Sequence, residues 1–340
     1  MNMETNTQMN VQKTLFKKKK VYLTMPVIFL IISSLFLYLF FIKNQAIFAS
    51  AQKVFNPKAQ PAYSHMIYGG FGEDALNKPM DVAVINEFVY VTDTNNKRVQ
   101  VFDLGGTSLY KFGKEGTAKG EFKFPYGITG DSEGNVFVSD LYNGSISIFD
   151  PKGTFLRYFA EKDPSEKIIE FPGSIRIVDN KVYVTEIRQS KVVVFDMEGK
   201  KLKEMGEPGQ KPGQFKAPNA VIADKDGNIY VTDSGNQRVQ LFDKEGKFVR
   251  VVAGGADGSV LVNPRGLGVD TRGIVYIVSN LTHLVFGYDQ ADTTTGKHLF
   301  SFGGNGEANN QFSLPNGLYV DKDDQVYITD TLNSRVAVYK

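Results

Sequence analysis

Three histidines, at positions 65, 283 and 298, and a complete lack of cysteine set the chemical limits of this 340-residue chain. Without thiols there are no disulfides, thiolate metal sites, cysteine nucleophiles or iron–sulfur clusters. His65, His283 and His298 are scattered, and their placement suggests neither a histidine metal centre nor a Ser-His-Asp arrangement. The acids are more regular. Asp93, Asp140, Glu186, Asp233, Asn280 and Asp330 mark the ends of similar short strands, Asn280 being the amide of the set. Arg98, Lys191, Arg238 and Arg335 follow five residues behind four of them. A carboxylate ending one strand and a cation opening the next fix the turn between them, so this pairing reads as architecture.

Other motifs also reduce to turns. Residues 224–228, DKDGN, open like a calcium loop, but the twelfth position, which needs a bidentate glutamate, is Gly235. With 131–135 and 321–325 they read as hairpin turns between strands. The glycine-rich stretch 303–306 precedes no helix that would lend N–H groups to a phosphate, and reads as a connector. A carboxylate–amide metal site would use Asn219 and Asn316, with Asp81 less well placed, but no matching set of acids accompanies them. Two glycosylation triplets, Asn143-Gly144-Ser145 and Asn280-Leu281-Thr282, are present. No cofactor and no metal ion are expected.

The elements that must position these residues repeat. Pro79, Pro125, Pro172, Pro218, Pro264 and Pro315 are spaced by 46, 47, 46, 46 and 51 residues. Each opens a unit with an apolar-alternating stretch, a turn, and a second strand: FVYVTD, NVFVSD, KVYVTE, NIYVTD, IVYIVS or QVYITD. A third strand of the type RVQVFD follows, then a turn such as KEGK and a looser fourth strand. The period of two argues strands, and four antiparallel strands per repeat make a propeller blade. One blade cannot bury both its faces, so six must stack around an axis. The expected fold is all-β, a six-bladed propeller of four-stranded antiparallel blades preceded by one transmembrane helix. The sixth unit reaches Lys340 after its third strand, and residues 63–69 match the fourth-strand pattern. Residues 62–70 are therefore expected to complete blade six and close the ring, which removes exposed sheet edges.

The anchor prolines, the [VI]-[YF]-[VI]-[TS]-[DEN] strand and the R-V-x-[VL]-[FY]-D strand together resemble the NHL-repeat family of six-bladed propellers. The resemblance covers residues 62–340. It implies the fold; function is left open, because such scaffolds host binding modules, sensor ectodomains, lyases and lactonases alike.

Residues 21–42, opening on Val21 and closing on Ile42, carry no charge and are long enough for the ~30 Å hydrocarbon slab. Residues 1–43 hold six lysines and one glutamate, a local +5, while the remainder carries −3 within a total of +2. The lysines before the span place a basic tail, 1–20, in the cytoplasm and the propeller outside. Residues 43–61 form a stalk, and 62–340 the propeller, expected as a monomer. The rival reading is a signal peptide cut after Ala51, leaving Gln52 as the first residue of a secreted protein. The small negative charge and the export argue against a nucleic-acid partner.

In a propeller, the loops entering strand one and those joining strands two and three meet on one face around the channel. The residues after the prolines, Met80, Tyr126, Gly173, Asn219, Arg265 and Asn316, should point there. Asn95, Tyr142, Arg188, Gly235, Thr282 and Leu332 add a second circle. The candidate binding set is Met80, Tyr126, Tyr142, Arg188, Asn219, Arg265 and Asn316, with Tyr126, Tyr142 and Arg188 forming an aromatic-plus-cation patch. The expected function is a membrane-tethered extracytoplasmic binding or scaffold module for a protein, peptide or glycan, without catalysis. The alternative is a metal-dependent lactonase-like or lyase-like enzyme with its site in the channel.

Overall fold

Alternating apolar residues become strands because each blade is sandwiched between two others. In the computed structural model, which describes residues 60–160, 168–254, 261–290 and 296–340, every repeat forms one four-stranded antiparallel sheet. The first blade shows the plan: Val82–Ile85 innermost, then Phe88–Asp93, Arg98–Asp103 and Ser108–Phe112 outermost. Five of six residues in its second strand are buried, because that strand meets a neighbouring blade on both faces. Its outer strand keeps serine, leucine and lysine exposed, and polar outer strands of this kind discourage edge pairing.

Six apolar clusters fill the six gaps between blades. Between blades one and two, for example, Val99, Val101 and Phe112 meet Phe122, Ile128 and Phe149. Around the axis each inner strand packs against the inner strands of both neighbours, and that of the first blade meets that of the sixth. The ring closes at six. Pro315–Val320, Val326–Asp330 and Arg335–Tyr339 form the last sheet together with Tyr63–Ile67. The closing strand pairs antiparallel with the third strand of blade six, Met66 opposite Ala337 and Ile67 opposite Val336. Reciprocal backbone bonds of 2.8 Å between Ala62 and Lys340 extend the pairing.

In blades two to six a register shift follows the anchor proline, as between Pro125 and Ile128. Proline tolerates the first position of a strand, where no ladder N–H is needed, and the bulge aims the next residues at the axis. Two residues past each proline the ring is tight. A β-carbon on Gly317 would lie 2.6 Å from the Asp81 backbone, and one on Gly266 2.5 Å from the Leu318 nitrogen. Asp81, Gly127, Ser174, Ala220, Gly266 and Gly317 hold this position.

Two expectations about the repeat need correction. In blade five the residue paired with the proline is Ser279, not Asn280. Its hydroxyl takes over the carboxylate's task by accepting from Val262 N–H at 2.9 Å. Asn280 instead starts a 3-10 turn, so the matching second-circle residue is Leu281 rather than Thr282. Arg98, Arg238 and Arg335 bond Asp93, Asp233 and Asp330 through Nε at 2.7 Å as expected. Lys191 does not reach Glu186 and pairs with Glu204 at 3.1 Å. A lysine offers a point charge, whereas an arginine fork holds the carboxylate and the connector carbonyls together.

The basic tail, the transmembrane helix and most of the stalk fall on residues 1–59, outside the described residues. No described helix is long and apolar enough to cross a membrane.

Candidate functional site

Because the bulges turn the first inner-strand residues inward, the axis is lined by residues from all blades. Met80, Tyr126, Asn219, Arg265 and Asn316 surround one small cavity of about 10 Å³, together with Asp81, Ser174 and Arg176. That is room for one water molecule. Five of the seven candidate residues therefore come together on the axis. Tyr126 donates its hydroxyl to Asn219 Oδ1 and accepts from Arg265 Nη1 at 3.0 Å, a chain running through blades two, four and five. Tyr126, Asn219 and Asn316 are buried and Arg265 is half-buried.

Beneath this layer Arg176 crosses the channel to Asp81. The guanidinium also donates to the carbonyls of Ile128, Ile175 and Leu318, between 2.9 and 3.1 Å. Its carbon lies 5.9 Å from the centroid of the Tyr319 ring. Burial opposes the charge on Arg176, but the adjoining Asp81 carboxylate outweighs it and the guanidinium pKa goes up. Ser174 Oγ faces the same cavity, buried and without a hydrogen-bond partner.

Tyr142 and Arg188 lie away from the axis. Tyr142 packs on Phe124 at 4.9 Å between ring centroids, and Phe124 on Tyr126 at 6.2 Å, so an aromatic ladder runs from rim to mouth. The cation on that ladder is Lys97, 5.8 Å from the Phe124 centroid. Arg188 stacks instead on Phe171, 4.9 Å away, in its own blade. The expected patch thus splits in two. At the tip of the turn between strands two and three, Tyr142 is 62% exposed, Leu281 53% and Leu332 47%.

The histidines have structural roles. His283 Nδ1 accepts from Leu314 N–H at 3.1 Å, and His298 packs against Phe286 and Tyr288. Among the described residues no group of three or more His, Cys, Asp or Glu is placed to hold a metal. Both glycosylation asparagines use their amide nitrogen internally: Asn143 Nδ2 donates to Gly116 O at 3.1 Å and Asn280 Nδ2 to Pro315 O at 2.8 Å. Asp224 Oδ1 accepts from the N–H groups of Asp226 and Asn228 at 2.9 Å, which makes its turn a hairpin turn.

This arrangement has known counterparts. Residues 76–102 and 312–339 match the NHL repeat, and residues 157–251 match a family described as a six-bladed β-propeller. The chain carries NHL repeats. The brain tumor protein of Drosophila melanogaster is 29% identical over 163 residues, 45% of this chain and 15% of that protein. The NHL propeller also superposes on solved structures at low identity, which shows the shared fold alone. Virginiamycin B lyase from Staphylococcus aureus has a TM-score of 0.54 at 13% identity, covering 78% of this chain and 81% of that one. A Bacteroides thetaiotaomicron protein of unknown function has a TM-score of 0.57 at 16% identity, covering 82% of this chain and 72% of that one.

Within the NHL propeller, sequence reasoning missed Arg176, Ser174 and Phe124. A signal for the first was present: Arg176 is a charged residue mid-strand where the other blades carry Ala83, Thr129, Ile222, Gly268 and Tyr319. Phe124 and Phe171 precede their prolines, and that position also varies between blades.

Proposed function

We propose that this NHL propeller is a non-catalytic binding module, tethered outside the cell membrane by residues 21–42, that captures a protein or peptide on its loop face. One observation carries the reading: Tyr142, Leu281 and Leu332 are exposed at one repeated loop position, on a rigid ring whose axis is closed by its own ion pair. Large apolar side chains fixed on a preorganised surface supply contact area at little entropic cost. Asp81, the acid that lines the axial cavity beside Asn219 and Asn316, is held by Arg176. The uncharged span and the lysines before it support the tether.

Replacing Tyr142 and Leu281 by alanine together should cut capture of cross-linked partner by the full chain on intact cells at least about tenfold. The thermal midpoint should stay within roughly 2 °C, because both side chains are at the surface. Undiminished capture would remove the loop face from consideration. The full chain should also stay in the membrane fraction at alkaline pH; a soluble form beginning at Gln52 would overturn the tether.

A further inference from the structure

Charge on the two faces is unequal. Beside the anchor prolines and in the turns between strands two and three stand Lys78, Lys97, Lys123, Arg188, Lys216 and Arg265, all at least partly exposed. Glu170 is the one acid at the matching described positions. The opposite face is built of turns opening on aspartates such as Asp131, Asp224 and Asp321. Within a net −3 beyond residue 43, the ring of loop positions nearest the axis is therefore cationic, while the connectors outside it carry both signs, with Glu73, Asp74, Glu115 and Glu307 among the acids. A cationic inner rim attracts and orients an anionic partner.

The centre of that rim is rich in donors. Ser174 Oγ is buried and unpartnered, the Asn316 amide faces the same cavity, and Arg265 edges it with its guanidinium half-buried. A buried hydroxyl left unpaired costs stability, and the cavity has room for the one water that would complete it beneath a ligand. Around this centre stand Tyr142, Leu281 and Leu332, of which two are aliphatic.

We infer that the loop face takes an acidic polypeptide segment bearing aliphatic side chains, with one carboxylate seated over the axis against Arg265 and Asn316. This rests on the reading of the loop face as a binding surface. Leucines favour a polypeptide over a nucleic acid, since Leu281 and Leu332 offer phosphates nothing and leave Tyr142 as the single ring of the three on which a base would stack.

The test uses the full chain in detergent micelles and fluorescence anisotropy of three labelled probes of equal length. These are a glutamate–leucine peptide, a lysine–leucine peptide and a thymidine oligonucleotide. The glutamate–leucine peptide should bind best, and its affinity should fall at least about tenfold between about 50 and 300 mM salt. Arg265→Gln should weaken it about tenfold by removing a charge-assisted contact, and Leu281→Ser with Leu332→Ser should weaken it comparably. Equal or tighter binding of the oligonucleotide, or indifference to Arg265→Gln in a variant that melts normally, would overturn the inference. If the leucine variants instead impaired a preferred lysine–leucine peptide, the loop face would stand and the acidic class would fall. If neither peptide responded to them, both would fall.

Discussion

Arg176 of the third blade grips Asp81 of the first across the axis, with Nη1 2.8 Å from Oδ2 and Nη2 3.0 Å from Oδ1. Both side chains are buried. The fork geometry satisfies both carboxylate oxygens at once, and Asp81 Oδ2 also accepts from Ile128 N–H at 3.1 Å. Three blades are thereby joined through one aspartate, and the lower channel is closed by side chains instead of solvent.

Such a pair adds little net stability, but breaking it on one side leaves a buried charge. Arg176→Met should therefore cost roughly 3–5 kcal/mol in denaturant unfolding followed by circular dichroism. Adding Asp81→Ala to that variant should restore part of the loss, because the stranded carboxylate goes. The restoration will be partial, since the carbonyls of Ile128, Ile175 and Leu318 lose their donor in both variants. Equal stability of single and double variants would show that the carboxylate is not what suffers.

The repeat was legible because it is written six times. The proline spacing, the period-two strands and the closing segment each recur or complete a recurrence, so one ambiguous copy is corrected by the others. Arg176 with Asp81 is the opposite case: the two residues are 95 apart and the contact occurs once. Nothing local in PGSIRIV says which blade its arginine will meet. Blade five shows a different limit. The string IVYIVSN lets either Ser279 or Asn280 end the strand, and only the pairing with Pro264 decides it. Spacing alone also misassigned Lys191, since a cation five residues past an acid reaches it only if the side chain has no better partner, and Glu204 is one.

Acid should loosen the closing strand first. Burial of His65, and then the charge of Lys340, lower the imidazole pKa below its usual 6.5. The Leu104 backbone and the Asp103 carboxylate favour the protonated ring but are outweighed, and His65 Nε2 is buried without a hydrogen-bond partner. The unfolded chain binds this proton more readily than the folded one, so stability rises with pH across the interval. The contribution is complete above pH 6.5 and is lost as the pH falls through the lower folded value. Thermal midpoints from pH 7.5 down to about 5 should fall less in His65→Gln than in the parent chain. Parallel curves would exclude His65 as the source.

The buried carboxylates at the strand ends are not equivalent, and this gives opposite signs for two similar substitutions. Asp330 accepts from Ser313 N–H at 2.6 Å, Asn333 Nδ2 at 2.8 Å and Arg335 Nε at 2.7 Å. Burial pushes its pKa up, and those bonds and the arginine charge pull against that. Asp330→Asn keeps an acceptor but leaves the buried Arg335 without its counter-charge, and should cost about 3 kcal/mol. Glu186 has no such cation among the described residues. Its Oε2 accepts from the N–H groups of Glu170 and Phe171 at 2.8 Å, while Oε1 is buried with no partner. Glu186→Gln keeps an oxygen for both N–H donors and removes an uncompensated buried charge, a gain of about 1 kcal/mol. Urea unfolding of the two variants at neutral pH distinguishes the cases. A loss for Glu186→Gln as large as that for Asp330→Asn would mean that the charge on Glu186 is compensated after all.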